Sequence, residues 1–399
     1  MGVLVEFAGM GMTSLSTSAR AVLAELVRRG QATRPQISQA LGLSKPTVSA
    51  AMAELEQHRL VSAAGSTQGH TGRSAMLYRI GEGAGHVVGV DVGVTRARVH
   101  AQTVSGVRLL DADREVPLQS APQPGRDAPP LADLQASAAV AGDLLRETLP
   151  RLDDNGPLRQ IVIALPTIVT DRDPGAPSHR PEARAMLKAF SLPEVPLLLE
   201  NNVNCAALAE RGVGVAQGFS QFAYVQAGVR IGAAIVIDGR LLRGASGWAG
   251  EVAHLPFPWA PDRQPAPDGL EHFLGAEQLL RRAVAAWPGS EQPRPSSAEE
   301  LFQRAAEGHA PAQRAVAEHA AQLGRLIVAV VALVDPGLVV LGGGIGSNPL
   351  LLGTVRETLH NLHIPVEVRQ SGLGTTATVT GAAVLARDHA LQRLIGTAT

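Results

Sequence analysis

The sequence predicts an α/β protein with a winged helix-turn-helix at its N-terminus. Three observations predict it. Residues 33–61 hold two short amphipathic segments divided at Gly42. Residues 60–80 place two short apolar runs around a polar, Gly-rich tip. From Val87 onward, apolar strands alternate with helix-period segments and Gly-rich turns, the pattern of an α/β body.

Each head element has a local cause. Ser18 to Arg29 carries Val22, Leu23, Leu26 and Val27 at helical spacing, a face that can pack under a helix pair. Thr33 caps the next helix, with Gln36 three residues on and Pro35 in the first turn, where its missing N–H costs nothing. Ile37, Ala40 and Leu41 then share one face. Gly42 ends the helix and permits a tight turn. Ser44 starts another helix, with Pro46 in its first turn and Val48, Met52 and Leu55 facing inward. Leu60–Ala63 and Ala75–Ile80 flank GSTQGHTGR as a hairpin wing. This order is that of a DNA-contacting module. Ser44, Lys45, Thr47 and Ser49 face the major groove, Arg73 sits near the wing tip, and Arg34 completes the candidate DNA-binding set. Charge agrees: residues 1–80 hold eight Lys/Arg against four Asp/Glu, and the rest hold 27 against 32. A three-helix bundle that only packs, or binds protein, is the competing reading.

The body reads as strands over Val87 to Gln102, Val107 to Val116, Gln160 to Leu165, Val195 to Leu199, Phe222 to Ala227 and Ala233 to Ile237. Helices are expected over Leu131 to Leu149, Val203 to Arg211, Glu271 to Ala285, Ser297 to Ala306 and Pro311 to Val334. A strand at Leu338 to Leu341, one near Val366 and a helix from Gly381 to Leu394 finish the chain. The expected units are a head at residues 14–82 and a body at 85–399. With 399 residues there is room for two or three domains. One cysteine excludes an internal disulfide framework and suits a reducing cytoplasm. No apolar run is read as a membrane span, and the apolar first twelve residues lack the basic start of a signal peptide. Lysine occurs only at Lys45 and Lys188, neither after a Gly-rich loop, which excludes a P-loop NTPase.

Four motifs carry chemistry. Asp91-Val92-Gly93-Val94-Thr95 sits in a turn between strands, where small residues admit a phosphate and Thr95 can donate to it. By itself it is equally a β-turn that needs Gly. Glu200-Asn201-Asn202-Val203-Asn204 joins a strand to a helix, where amides act as caps or read a polyol. Glu251 and His254 follow a Gly-rich loop. Gly342-Gly343-Gly344 follows a strand and can approach a nucleotide or simply turn the chain.

In order, VGVDVGVT, LLLENNVNCAALAE, GRLLRGASGWAGEVAH, LVDPGLVVLGGGI and TGAAVLA resemble the ROK family of bacterial sugar kinases and sugar-responsive regulators. The resemblance spans about Ala19 to Ala390. It implies a two-lobed, actin-like ATPase (ribonuclease H-like) body with a sugar cleft, assembled as a homodimer or homotetramer. The helix-turn-helix head resembles the regulator branch. In family kinases the motif reads E-N-D-x-N and its Asp takes the proton of the sugar hydroxyl; here that place is Asn202. An amide is no general base near neutral pH, and losing the base removes roughly 10²–10⁴ in rate. The family's G-x-G-x-G loop becomes Gly228-Val229-Arg230-Ile231-Gly232, and Val94 stands where a Gly is usual. The resemblance therefore leaves Asp91, Gly93, Thr95, Gly228, Gly232 and Gly343 as a vestigial phosphate loop with no catalytic residue and no cofactor. Asn201, Asn202, Glu251, His254 and Glu271 match sugar contacts, although Leu165-Pro166-Thr167 replaces the family's V-P-G. The family's structural zinc needs His254 and three cysteines, and the stretch after His254 has none; no metal is expected, and packing around Phe257 and Trp259 must hold that loop. The expectation is a cytoplasmic, sugar-responsive repressor on an inverted-repeat operator in double-stranded DNA, with no membrane partner. A hexose kinase using ATP, and a scaffold with an idle cleft, are the alternatives.

Overall fold

The computed structural model describes residues 15–67, 74–117, 131–173, 175–176, 179–190, 196–257, 264, 269–289 and 293–396. The head begins with α1 (Thr17–Arg29), whose start is capped by Ser16 accepting from the Ala19 amide. A short strand, β1 (Gln31–Thr33), leads into α2 (Arg34–Leu41). Thr33 and Gln36 form the expected capping box: Thr33 Oγ1 accepts from the Gln36 amide and Gln36 Oε1 from the Thr33 amide. Gly42, at φ +65°, turns the chain into α3 (Lys45–Gln57). Ile37, Val48, Met52 and Leu55 are buried as expected, but Ala40 is exposed: an eight-residue helix lying on α1 and α3 buries only Ile37 fully. The wing strands β2 (Val61–Thr67) and β3 (Ala75–Ile80) pair antiparallel, and β1 adds to β3, giving the order β1-β3-β2. β1 is an addition to the expected hairpin.

The first lobe contains β4 (His86–Val92), β5 (Arg96–Thr103), β6 (Arg108–Glu115), α4 (Leu131–Thr148), β7 (Leu158–Leu165), α5 (Pro181–Ala189), β8 (Leu197–Asn201) and α6 (Asn202–Val213). Its strands run β6-β5-β4-β7-β8. The second lobe contains β9 (Phe222–Ala227), β10 (Ile231–Ile237), β11 (Arg240–Leu242), α7 (Glu271–Leu274), α8 (Ala276–Ala285), α9 (Ala298–Ala306), α10 (Ala310–Val334), β12 (Leu338–Gly342), α11 (Gly343–Gly346), α12 (Pro349–Asn361) and β13 (Glu367–Gln370). Its strands run β11-β10-β9-β12-β13. Both lobes thus share one plan: three antiparallel strands, then two added in parallel. The last helix, α13 (Ala377–Ile395), returns to the first lobe and packs on α6 and β4.

The single helix expected over 271–285 is two, broken at Gly275, where a Cβ would strike Glu271 Oε1 at 2.7 Å. Helices α5 and α12 are further additions, and α13 starts four residues before the expected Gly381. By length and composition alone α10 could cross a bilayer, where the sequence led us to expect no apolar run of that length. Half of that window is buried, with Leu323, Leu326 and Ile327 in the second-lobe core.

One apolar cluster joins head to body. It runs from Leu23, Met52 and Leu55 in the head to Leu208 of α6 and Leu385 and Leu391 of α13. The connection between the two is pinned as well. Arg159 donates to the carbonyls of Gly83 and Ala84 at 2.8 and 3.1 Å.

Candidate functional site

On the head, the start of α3 is built by its own side chains. Ser44 Oγ accepts from the Thr47 amide at 3.2 Å and bonds the Thr47 hydroxyl at 2.7 Å. Those two hydroxyls hold the helix terminus. Ser44, Lys45 and Ser49 are exposed and Thr47 is half-buried. Arg34, expected among the DNA contacts, is engaged within the head. It pairs with Glu56 at 3.2 Å and lies over the Tyr78 ring at 5.0 Å, so it braces α2 against α3 and the wing. Arg73 lies outside the described residues. Arg79 is exposed on β3 next to buried Tyr78. Its exposure follows the period-two alternation of the strand.

In the body, two equivalent hairpin turns face each other across a cavity of about 160 Å³. The β4–β5 turn brings Gly93 and Thr95, and the β9–β10 turn brings Gly228 and Arg230. Asn202 at the head of α6 and Gly343 after β12 complete the wall. Gly343 is required by its backbone: at φ +87°, a Cβ would meet the Ala227 carbonyl at 2.5 Å. Four of the six expected phosphate-loop residues therefore meet. Asp91 lies beneath them, buried, 3.5 Å from Arg98. Burial pushes its carboxyl up to about 6, with Arg98 opposing. Gly232 is elsewhere. A Cβ there would strike Val203 Cγ2 at 2.8 Å, so this glycine serves the packing of β10 on α6.

The residues matched to sugar contacts are partly engaged already. Asn201 caps α6, its Oδ1 accepting from the Val203 and Asn204 amides at 2.8 and 3.3 Å. Its Nδ2 donates to the Thr167 carbonyl at 3.1 Å. Glu271 Oε2 accepts from the Ile231 amide at 2.9 Å. Glu251 and His254 stand 3.9 Å apart, and the His254 ring lies 4.9 Å from that of Trp248. Arg180, from the first lobe, lies over the same Trp248 ring at 5.1 Å; nothing in the sequence marked it. Burial raises the Glu251 carboxyl above its usual range, against the pull of His254, Arg180 and Arg230.

Glu200, first in its motif, ties the lobes together. It is 1% exposed and receives Arg243 from the second lobe at 2.6 Å and Asn204 at 2.9 Å. The loop after His254 does not fit a structural zinc, which takes four N or S ligands. Phe257 stacks on Phe273 at 4.6 Å, and the chain's one cysteine, Cys205, is buried in α6. Trp259 lies outside the described residues.

Comparison with known proteins follows this layout. The ROK family model matches residues 158–389 and the MarR family model residues 13–70. The xylose repressor of Bacillus spizizenii is 23% identical over 93% of this chain and 94% of its own length. A ROK family transcriptional regulator, a homologue of the Escherichia coli Mlc protein, superposes with a TM-score of 0.67 at 20% identity, covering 95% of this chain and 98% of that one. A ROK hexokinase from Thermus thermophilus is 28% identical, with a TM-score of 0.55 over 76% of this chain and 99% of its own.

Proposed function

The chain belongs to the ROK family, and from that premise we propose that it is a DNA-binding transcriptional repressor whose kinase-like body senses a small sugar effector without phosphorylating it. Residues 14–82 contact DNA and residues 85–399 sense. The observation that carries this reading is the continuous core between the two. A head whose helices pack into the same cluster as α6 and α13 feels a change at the cleft. Names of relatives agree, since the Bacillus protein is a xylose repressor.

Lys45, Ser49 and the half-buried Thr47 lie in the first turns of α3, the end of a recognition helix that meets base edges in a major groove. Two heads in a symmetric dimer or tetramer read an inverted repeat with half-sites whole helical turns apart. The effector acts by binding one arrangement of the lobes better than the other. The protein works in the cytoplasm. Asn202 cannot serve as a base, and Arg230 narrows the place where a nucleotide's phosphates would enter.

A gel shift on the DNA upstream of the protein's own gene tests the reading. Specific retardation that weakens as salt rises is expected; none at low salt would overturn it. The second reading, a sugar kinase, is favoured by the likeness to the Thermus hexokinase. Coupled assays with ATP and a hexose panel separate the two, because turnover would mean that a base other than Asn202 takes the sugar proton.

A further inference from the structure

The second lobe carries a pocket of its own, about 320 Å³, formed by α7, α8 and α10. It shares no lining residue with the cavity between the hairpin turns. Much of its wall is apolar. Leu279 and Ala283 come from α8, and Ala315 and Ala321 from α10. Phe273 and Trp287 add aromatic walls. Contacts fix both rings. The Arg282 guanidinium lies 4.3 Å from the centroid of Phe273, and His309 stacks on Trp287 at 5.0 Å with 6° between the planes.

Charge is one-sided. Three guanidiniums reach this pocket, those of Arg282, Arg314 and Arg325, against one carboxylate, that of Glu318. Arg282 is already engaged: it donates to the Phe273 carbonyl and lies within electrostatic reach of Glu318. Arg314 and Arg325 are exposed, and neither has a hydrogen-bond or ion-pair partner among the described residues. Positions 314, 318, 321 and 325 recur at helical spacing on α10, so both free forks stand along one stripe of that helix.

These walls select a ligand class. A sugar would leave most of its hydroxyls unpaired, because Gln322 is the one amide side chain among the described residues of the lining, and unpaired polar groups are costly to bury. A bare inorganic anion would leave the apolar walls empty. Pockets for organic ligands begin near about 300 Å³, so this one suits a molecule of one or two rings. We propose that the pocket binds a small aromatic carboxylate, with its ring beside Phe273 and Trp287 and its carboxylate on Arg314 and Arg325. Guanidinium forks hold carboxylates through paired hydrogen bonds, and ring contacts add to apolar burial. α10 runs on into β12, and Gly343 on the cavity wall follows that strand. The pocket is therefore placed to act on the cleft as a second input.

This goes beyond the regulator reading and does not depend on it, since binding is measured on the full chain without DNA. Calorimetry would compare benzoate and indole-3-acetate with their neutral amides and with glucose. Each acid is expected to bind at least tenfold tighter than its amide, less so as salt rises. Benzoate should change tryptophan fluorescence, and Trp287→Phe should remove that change. Arg314→Ala and Arg325→Ala should each weaken binding about five- to thirtyfold, and lysine at either position should restore part of it. Ala321→Trp, which fills the pocket without altering charge, should abolish binding. Circular dichroism and melting of each variant keep a folding defect distinct. Absence of heat and of fluorescence change with both acids would overturn the proposal. Equal affinity for acid and amide would do the same, as would unchanged affinity in the folded double variant Arg314→Ala/Arg325→Ala. If that double variant instead changed the oligomeric state in sedimentation, and the unmodified chain bound neither acid, the face would be a contact between copies and the ligand proposal would fall. A failed gel shift would sink the regulator reading and leave each of these outcomes decisive for the pocket.

Discussion

His319 is a buried base with no hydrogen-bond partner among the described residues. It is 1% exposed in α10, and neither ring nitrogen has a partner among the described residues. Burial, then Arg282, holds its pKa down to about 4. In the unfolded chain a histidine titrates near 6.5. Between those values the unfolded state takes up a proton that the folded state refuses. The stabilisation is therefore present above about pH 6.5 and is lost as pH falls toward 4, an effect on the order of 3 kcal/mol. His389, held down to about 4 by burial and Arg172, titrates in the same window, so the contribution of His319 must be read by difference. In urea unfolding, His319→Leu should match the unmodified protein or exceed it at neutral pH. Its advantage should widen steadily down to pH 4; parallel acid limbs would mean that His319 has a partner or a route to solvent. Such environments are invisible in sequence. Asn202 was legible because a strand-to-helix junction must place it at the start of α6. The groups that engage Arg34 and Gly232, Glu56 and Val203, come from other elements and leave no local signal.

Among the elements, α13 has the closest packing. Gly381 lies so near α6 that an added Cβ would fall 1.6 Å from the Cys205 carbonyl oxygen, and Gly89 of β4 meets α13 at Ala383 N with 2.5 Å. Both obstacles are backbone, which cannot swing aside. Gly381→Ala should therefore cost about 3 kcal/mol or more, although alanine is the better helix former. Gly353→Ala in α12 is the control, since nothing lies within 4 Å of its added carbon; it should be neutral or stabilising by up to about 1 kcal/mol. Equal melting temperatures for the two variants would disprove the close approach of α6 and α13. The existence of α13 was readable from its apolar period, as was that of α10. Its start was not, because Ala377 and Thr378 carry no capping signal. The break at Gly275 was lost for a related reason: α7 and α8 keep a continuous helical pattern across it. The shared plan of the two lobes left no trace, since strand order is set by pairing and not by any repeated residue string.

At the scale of the molecule, the issue is whether head and body behave as one unit. The end of α13 meets α1, where Arg20 lies against Gly396, and Leu391, Leu394 and Ile395 join the head's apolar cluster. Arg159 holds the connecting carbonyls, and Gly81 and Gly83 donate to Leu60 and Arg59 at 2.8 Å each. A linker bonded at both ends does not let the head swing freely. Because the α6–α13 pair starts at the cavity and the far end of α13 touches the head, one rigid layer connects them. Domains that share a core unfold together, whereas domains joined by a loose linker unfold separately. Scanning calorimetry of the full chain should then show head and body in one transition. Leu391→Asp tests the shared cluster directly. Leu391 is 8% exposed, and an unpaired carboxylate there costs several kcal/mol. The expected result is a separate, lower-temperature transition for the head, with the body's transition nearly unmoved and DNA binding retained below the first. Two transitions already present in the unmodified chain would show that the cluster does not couple the parts. The cleft would then need another route to the DNA-contacting helix.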